Sequence, residues 1–116
     1  GIAPQGLTGA IVVKLYYIMA SATSGNVVLV AQIEAITDAD ATDLDAGTSF
    51  DSANTSAATA VPGTAGYLDV ISITCTNADS IASGDYFRLA IWRDVDPNDT
   101  AAGDLYLLAV EFTDGN

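Results

Sequence analysis

The chain is 116 residues long, with 3 Lys and Arg against 15 Asp and Glu and no His, for a formal charge of −12. That length suits one domain, residues 1–116, able to bury a modest core without disulfide staples. The charge repels phosphate backbones and anionic lipid, which excludes nucleic acid and acidic membranes as partners, while a hydrophobic fraction of 50% excludes a disordered acidic tail.

The chain opens on Gly1 rather than Met, so the expectation is a processed product or the C-terminal part of a longer polypeptide. No basic stretch precedes an apolar one as in a signal peptide, and the longest apolar run, residues 10–20, is interrupted by Lys14 and too short to span a bilayer. Runs rich in β-branched and aromatic residues then recur over residues 8–19, 26–36, 67–76, 85–94 and 104–113, with a weaker one over 48–59. Each is bounded by Gly, Asp, Asn, Ser or Pro, which predicts strands. Ala is frequent but forms no sustained helical stripe, and only residues 38–44 suggest a helical turn. Residues 21–26 read as a short hairpin connection and residues 94–104 as a longer acidic loop containing Pro97. Strands at regular spacing without helices predict an all-β fold, an antiparallel β-sandwich of jelly-roll-like type.

Alternation along a half-buried strand leaves one apolar face, and several runs break that rule. In the first, Ile11, Val13, Leu15, Tyr17 and Met19 share a face, yet Val12, Tyr16 and Ile18 opposite are apolar too. In the last, Tyr106, Leu108, Val110 and Phe112 form one face and Leu105, Leu107 and Ala109 the other. In the run over residues 85–94, Phe87, Leu89 and Ile91 oppose Tyr86, Arg88, Ala90 and Trp92, an aromatic and Arg mixture common at interfaces. A small sandwich has one interior, so the surplus apolar faces predict coverage by other copies of the chain. The expected interface is Val12, Tyr16, Ile18, Arg88, Trp92, Leu105 and Leu107.

Without His the usual general base, the Ser-His and Cys-His pairs and the commonest transition-metal ligand are missing. Cys75 lies in the alternating stretch Ile71-Ser72-Ile73-Thr74-Cys75 and is expected as an inert core thiol. Of the acidic residues 13 are Asp, mostly in turns, and only Glu34 and Glu111 sit within strands, so no carboxylate pair points to glycoside hydrolysis and no enzyme is expected. Asp94, Asp96 and Asn98 have the D-x-D-x-N spacing of calcium loops, but Asp99 and Leu105 stand where such a loop needs Gly and Glu. The cluster over residues 38–45 fails likewise, with Asp43 and Ser49 at those positions. Solvated turn carboxylates are the favoured reading, with no metal or other cofactor. Lys14, Arg88 and Arg93 are each expected to find a carboxylate partner, and Arg88 to reach across an interface.

The linear order of Gly9-Ala10-Ile11, Lys14-Leu15-Tyr16-Tyr17, Ser24-Gly25-Asn26-Val27-Val28, Arg88-Leu89-Ala90-Ile91-Trp92-Arg93-Asp94 and Asp99-Thr100 before Leu107-Leu108-Ala109-Val110 resembles bacteriophage virion structural domains of the tail-fibre, tail-spike or head-decoration type. The resemblance covers residues 9–113 and implies a homotrimeric jelly-roll-like sandwich in the virion, meeting other virion proteins and, at a fibre tip, a host surface glycan. It brings an architecture and no active site. Those domains carry a further strand ahead of the segment that here begins the chain, Gly1-Ile2-Ala3-Pro4-Gln5-Gly6, so an upstream strand is expected, or an edge filled by a neighbouring subunit. The alternative is a secreted, extracellular carbohydrate-binding module, calcium-assisted or not, with Tyr86, Trp92 and Tyr106 stacking on sugars.

Overall fold

The computed structural model describes residues 1–37, 44, 49–95 and 97–115. It is all-β, with no helix among the described residues. Its strands are β1 (Ile11–Met19), β2 (Asn26–Val27), β3 (Leu29–Ile36), β4 (Asn54–Thr55), β5 (Thr59–Ala60), β6 (Asp69–Cys75), β7 (Tyr86–Arg93) and β8 (Leu105–Asp114). One three-stranded sheet has the order β6, β1, β8 and a second the order β4, β3, β7, while β2 and β5 form a short pair. All pairings are antiparallel. The helical turn expected at residues 38–44 lies outside the described residues apart from Leu44.

The core forms where the two larger sheets face each other. Ile11, Val13, Leu15, Tyr17 and Met19 of β1 meet Ile71, Ile73 and Cys75 of β6 and Leu29, Ala31, Ile33 and Phe87 from the other sheet. On β1 every odd residue is buried and every even one half-buried, the alternation that period 2 dictates. Cys75 is a core residue as expected, and burial pushes its thiol up to about 11.

Two local expectations are corrected. Residues 21–26 do not form a hairpin, because both edges of β1 are taken by β6 and β8 and the connection must cross to the other layer. There Gly25 adopts φ +91 and passes so close to Ala101 that a Cβ would lie 2.8 Å from its Cα and nitrogen. On β8 the alternation is interrupted by a β-bulge. Tyr16 faces Ala109 but Tyr17 faces Leu107, so Leu108 is the extra residue. Leu105 and Leu107 therefore share the inner face with Val110 and Phe112, opposite Met19, Tyr17, Leu15 and Val13, instead of lying with Ala109 as strict alternation requires.

The two flanks of the layered structure differ. On the β4 and β6 side, Asn54 ties the layers together. Its amide donates to Ala31 O at 3.2 Å and Asn77 O at 2.8 Å, and its oxygen accepts the Asn77 N–H at 3.0 Å. Next to it Asp51 accepts the Asp79 N–H at 2.8 Å, and Asp79 accepts the Ala35 N–H at 3.0 Å. The β7 and β8 side has no such latch. Its ends are held by an edge-to-face contact of Phe87 with Phe112, ring centroids 4.8 Å apart, and by Arg93 gripping the loop that leads into β8. Replacing Asn54 by Ala should take this partner from the buried Ala31 carbonyl and from the half-buried backbone of Asn77 and cost about 2–3 kcal/mol, read as a lowered urea midpoint; an unchanged midpoint would show that the latch carries no stability.

Candidate interaction surface

The β7 and β8 flank carries a groove of about 400 Å³ lined by Leu29, Ile91, Trp92, Arg93 and residues 104–107. Leu89 and Ile91 of β7 and Leu105 and Val110 of β8 are only partly buried against the core here. Large apolar side chains of its lining stand exposed, with Trp92 at 41%, Leu107 at 42% and Tyr106 at 51%, and the next residue of β8, Leu108, is exposed at 57%. Tyr106 and Leu108 escaped the sequence reading as interface residues. Strict alternation placed them on the face with Val110 and Phe112, and nothing in the sequence marks the bulge that turns Leu108 out of step.

A second apolar surface lies on the outer face of the β1 sheet. Val12, Tyr16 and Ile18 are half-buried there, as the sequence placed them. The register sets Val70 beside Tyr16 and Tyr106 beside Ile18, so the outer face and the flank meet at Tyr106. The structure thus brings Val12, Tyr16 and Ile18 together on one surface and Trp92, Leu105 and Leu107 on another. Val12 lies at the polar end, opposite Thr113 and Thr74, with Lys14 opposite Glu111 and Ser72. The Lys14 and Glu111 pair is loose, 3.9 Å apart, and both partners are well exposed, so it adds little stability.

The arginines serve the fold. Arg88 lies on the outer face of β7 opposite Glu34 and donates to its carboxylate through Nε at 2.7 Å, while Nη1 reaches Leu44 O at 3.0 Å and the guanidinium lies 5.6 Å from the Phe50 ring centre. Glu34 is fully buried on a nominally outer position because Leu44, Ser49 and Phe50 lie over it. The Ser49 hydroxyl, at 2.7 Å, and the Ser49 N–H hold its carboxyl below the usual range, and Arg88 adds to the effect. The cation stacking expected across an interface is thus found within the chain. Arg93 makes a two-pronged contact with Asp99, Nη2 to Oδ1 at 2.7 Å and Nε to Oδ2 at 2.9 Å, and also donates to Gly103 O at 2.6 Å. Asp99 in turn accepts the Val28 N–H at 3.1 Å. This bonding, led by Arg93, lowers the Asp99 carboxyl's affinity for a proton.

Of the calcium candidates, Asp94 and Asn98 are described and Asp96 lies outside the described residues, as does most of the 38–45 cluster. Among the described residues no group of three acidic or sulfur ligands is gathered for a metal. The acidic side chain that the loop does aim inward, Asp99, is spent on Arg93.

These contacts set a pH window. Glu34, Asp99 and Asp51, the last held down first by the Asp79 N–H, keep their protons less readily in the fold than in the open chain. The stability they contribute is present above the ordinary carboxylate values and is lost as pH falls through the lower folded ones. Cys75, pushed up to about 11, and Tyr17, pushed up by burial and by its 2.6 Å bond to Asp69, act in the opposite sense. Their contribution is complete below the open-chain values and is lost as pH climbs through the folded ones. The melting temperature should therefore be flat between about pH 5 and 8 and fall on both sides, and Cys75→Ala should soften the alkaline fall; a fall already under way at neutrality would contradict this assignment.

No family model, no curated protein and no solved structure matches the chain.

Proposed function

We propose that the protein is a non-enzymatic structural domain that works by associating with copies of itself, and that a bacteriophage particle is its setting. The observation that carries the self-association reading is the open flank, where Trp92, Tyr106, Leu107 and Leu108 stand exposed together. Covering four half-exposed side chains of this size favours association by roughly 3–6 kcal/mol before the cost of immobilisation. The acidic surface, −12 in all, keeps copies apart elsewhere and so discourages unspecific clumping. Glu34, Asp51 and Asp99 are held in their ionised forms by their partners, so none of these three has the raised value that a general acid needs. The virion setting, its jelly-roll-like sandwich and the homotrimer rest on the linear resemblance alone.

A second reading has one observation in its favour. Trp92 and Tyr106 line the same groove beside Asp104, an aromatic pair with a carboxylate that could hold a sugar ring. The two readings separate cleanly in solution. Sedimentation at tens of micromolar should give an oligomer, and Leu108→Asp together with Tyr106→Ser should yield a folded monomer with stability within about 1 kcal/mol of the parent, since both positions are exposed. A parent chain that sediments as a monomer and binds glycans would move the assignment to the carbohydrate module.

A further inference from the structure

We propose that the apolar end of the outer face of the β6, β1, β8 sheet is covered by the same end of a second copy, about a two-fold axis that crosses β1 between Tyr16 and Ile18. This rests on the self-association reading and gives the contact a place and a partner. The register orders the face into rows across the three strands. Val70, Tyr16 and Ala109 form one row, and Ile18 and Tyr106 stand in the next, with Leu68 carried to the same side as Val70 by alternation. The bulge adds Leu108 beside Ala109. Beyond these rows come Ser72, Lys14 and Glu111, then Thr74, Val12 and Thr113. One end of the face is therefore apolar and the other polar. The apolar end is open, with Val70 at 38% exposure, Tyr106 at 51%, Leu108 at 57% and Leu68 at 59%. Both ends of the chain lie elsewhere: residues 1–3 run along β7 in the other sheet, and Gly115 bonds Ala10 at the polar end. Leu44, Ser49 and Phe50 lie over the outer face of that other sheet.

Charge, size and symmetry select a second copy as the occupant. None of the side chains in the two apolar rows is charged at neutral pH, and the nearest charges, Lys14 and Glu111, face each other at 3.9 Å. On a chain of −12, two copies meet with least repulsion here, whereas a basic partner, which the overall charge attracts, finds no carboxylate in these rows. At roughly 150–250 Å² per large side chain, the exposed part of the two rows amounts to about 500 Å², so two copies together remove about 1,000 Å² from water, the size at which specific interfaces begin. A two-fold contact of one patch with itself is the commonest way in which like chains associate. An axis across the strands keeps the strands of the two copies aligned, as packed sheets prefer, and its position sets each apolar row on the other row of the partner. Leu68 then lies over the partner's Val70, Ile18 over the partner's Tyr16, and Tyr106 over the partner's Ala109 and Leu108, each twice. Moving the axis by one residue, onto Tyr16, drops Leu68, Ile18 and Tyr106 onto the partner's Ser72, Lys14 and Glu111, apolar against charged. Between Tyr16 and Ile18 the axis leaves the charged row at the rim, in water.

The test is a charge swap at the β6 side of the face, away from the flank. The parent chain should sediment with an even number of copies at tens of micromolar. Leu68→Lys and Val70→Glu should each weaken that assembly about tenfold or more in dissociation constant, with the urea midpoint kept because both positions are exposed. An equimolar mixture of the two variants should restore it, since each new charge meets its opposite only on the partner. Should Val70→Glu fail to fold, the reversed pair, Leu68→Glu with Val70→Lys, carries the same test. Trp92→Lys, on the flank, should leave the assembly intact. An assembly dissolved by Trp92→Lys and untouched by the β6-side variants, a mixture that stays monomeric, or an odd-numbered parent such as the trimer overturns the two-fold contact and leaves self-association standing. A monomeric parent, with or without glycan binding, overturns both.

Discussion

A three-stranded sheet has one centre and two edges, and an edge is a row of backbone donors and acceptors that needs water or a partner. This protein layers two such sheets, so the treatment of four edges governs the rest of its structure. On one flank Asn54 and Asn77 stitch the layers together through side-chain bonds to backbone. On the other, β8 is broken by a bulge, residues 1–3 bridge the first residues of β7, and the layers meet through Phe87 with Phe112 and through Arg93 with Gly103. Between these contacts Leu89, Ile91, Leu105 and Val110 are only partly buried against the core.

The charged residues divide along the same line. Arg88 and Arg93 bind loops to the sheet that contains β7, one through Glu34 and the other through Asp99. These pairs are partly or fully shielded and also bonded to backbone, which is the condition for an ion pair to fix a conformation. Of the other described carboxylates, Asp79, Asp104 and Glu111 are exposed, while Asp51, Asp69, Asp85 and Asp114 are half-buried and accept bonds from backbone N–H groups or a hydroxyl. Both arginines are thus held within the chain, and the exposed apolar side chains at the flank are the surface that the proposed self-association would cover.

The strands were legible because period 2 is a local property. The inner row of β1, the burial of Cys75 and the division of β7 into Phe87, Leu89 and Ile91 against Arg88 and Trp92 all follow from neighbours two residues apart, and the structure has them. The errors came where a local rule met a distant partner. Residues 21–26 have the composition of a hairpin turn, yet β1 already has two neighbours, drawn from residues 69–75 and 105–114. Leu105 and Leu107 were put on the outer face by counting in twos, and a single extra residue at Leu108 reversed them. The interface set chosen from the sequence is accordingly spread over two surfaces: Val12, Tyr16 and Ile18 on the outer face, Trp92, Leu105 and Leu107 at the flank, and Arg88 drawn into a pair with Glu34.

Composition, charge and alternation by themselves determined that this is an all-β chain without histidine chemistry, with a core row along β1 and more apolar surface than one small interior can hold. Only the tertiary structure decided which edges are closed, where the ladder slips, and which carboxylate each arginine takes. The reason lies in sequence separation. Strand character is set by adjacent residues, whereas Arg88 and Glu34 stand 54 residues apart and Gly1 and Phe87 stand 86 apart, and such meetings depend on how the sheets close, which no window along the chain contains.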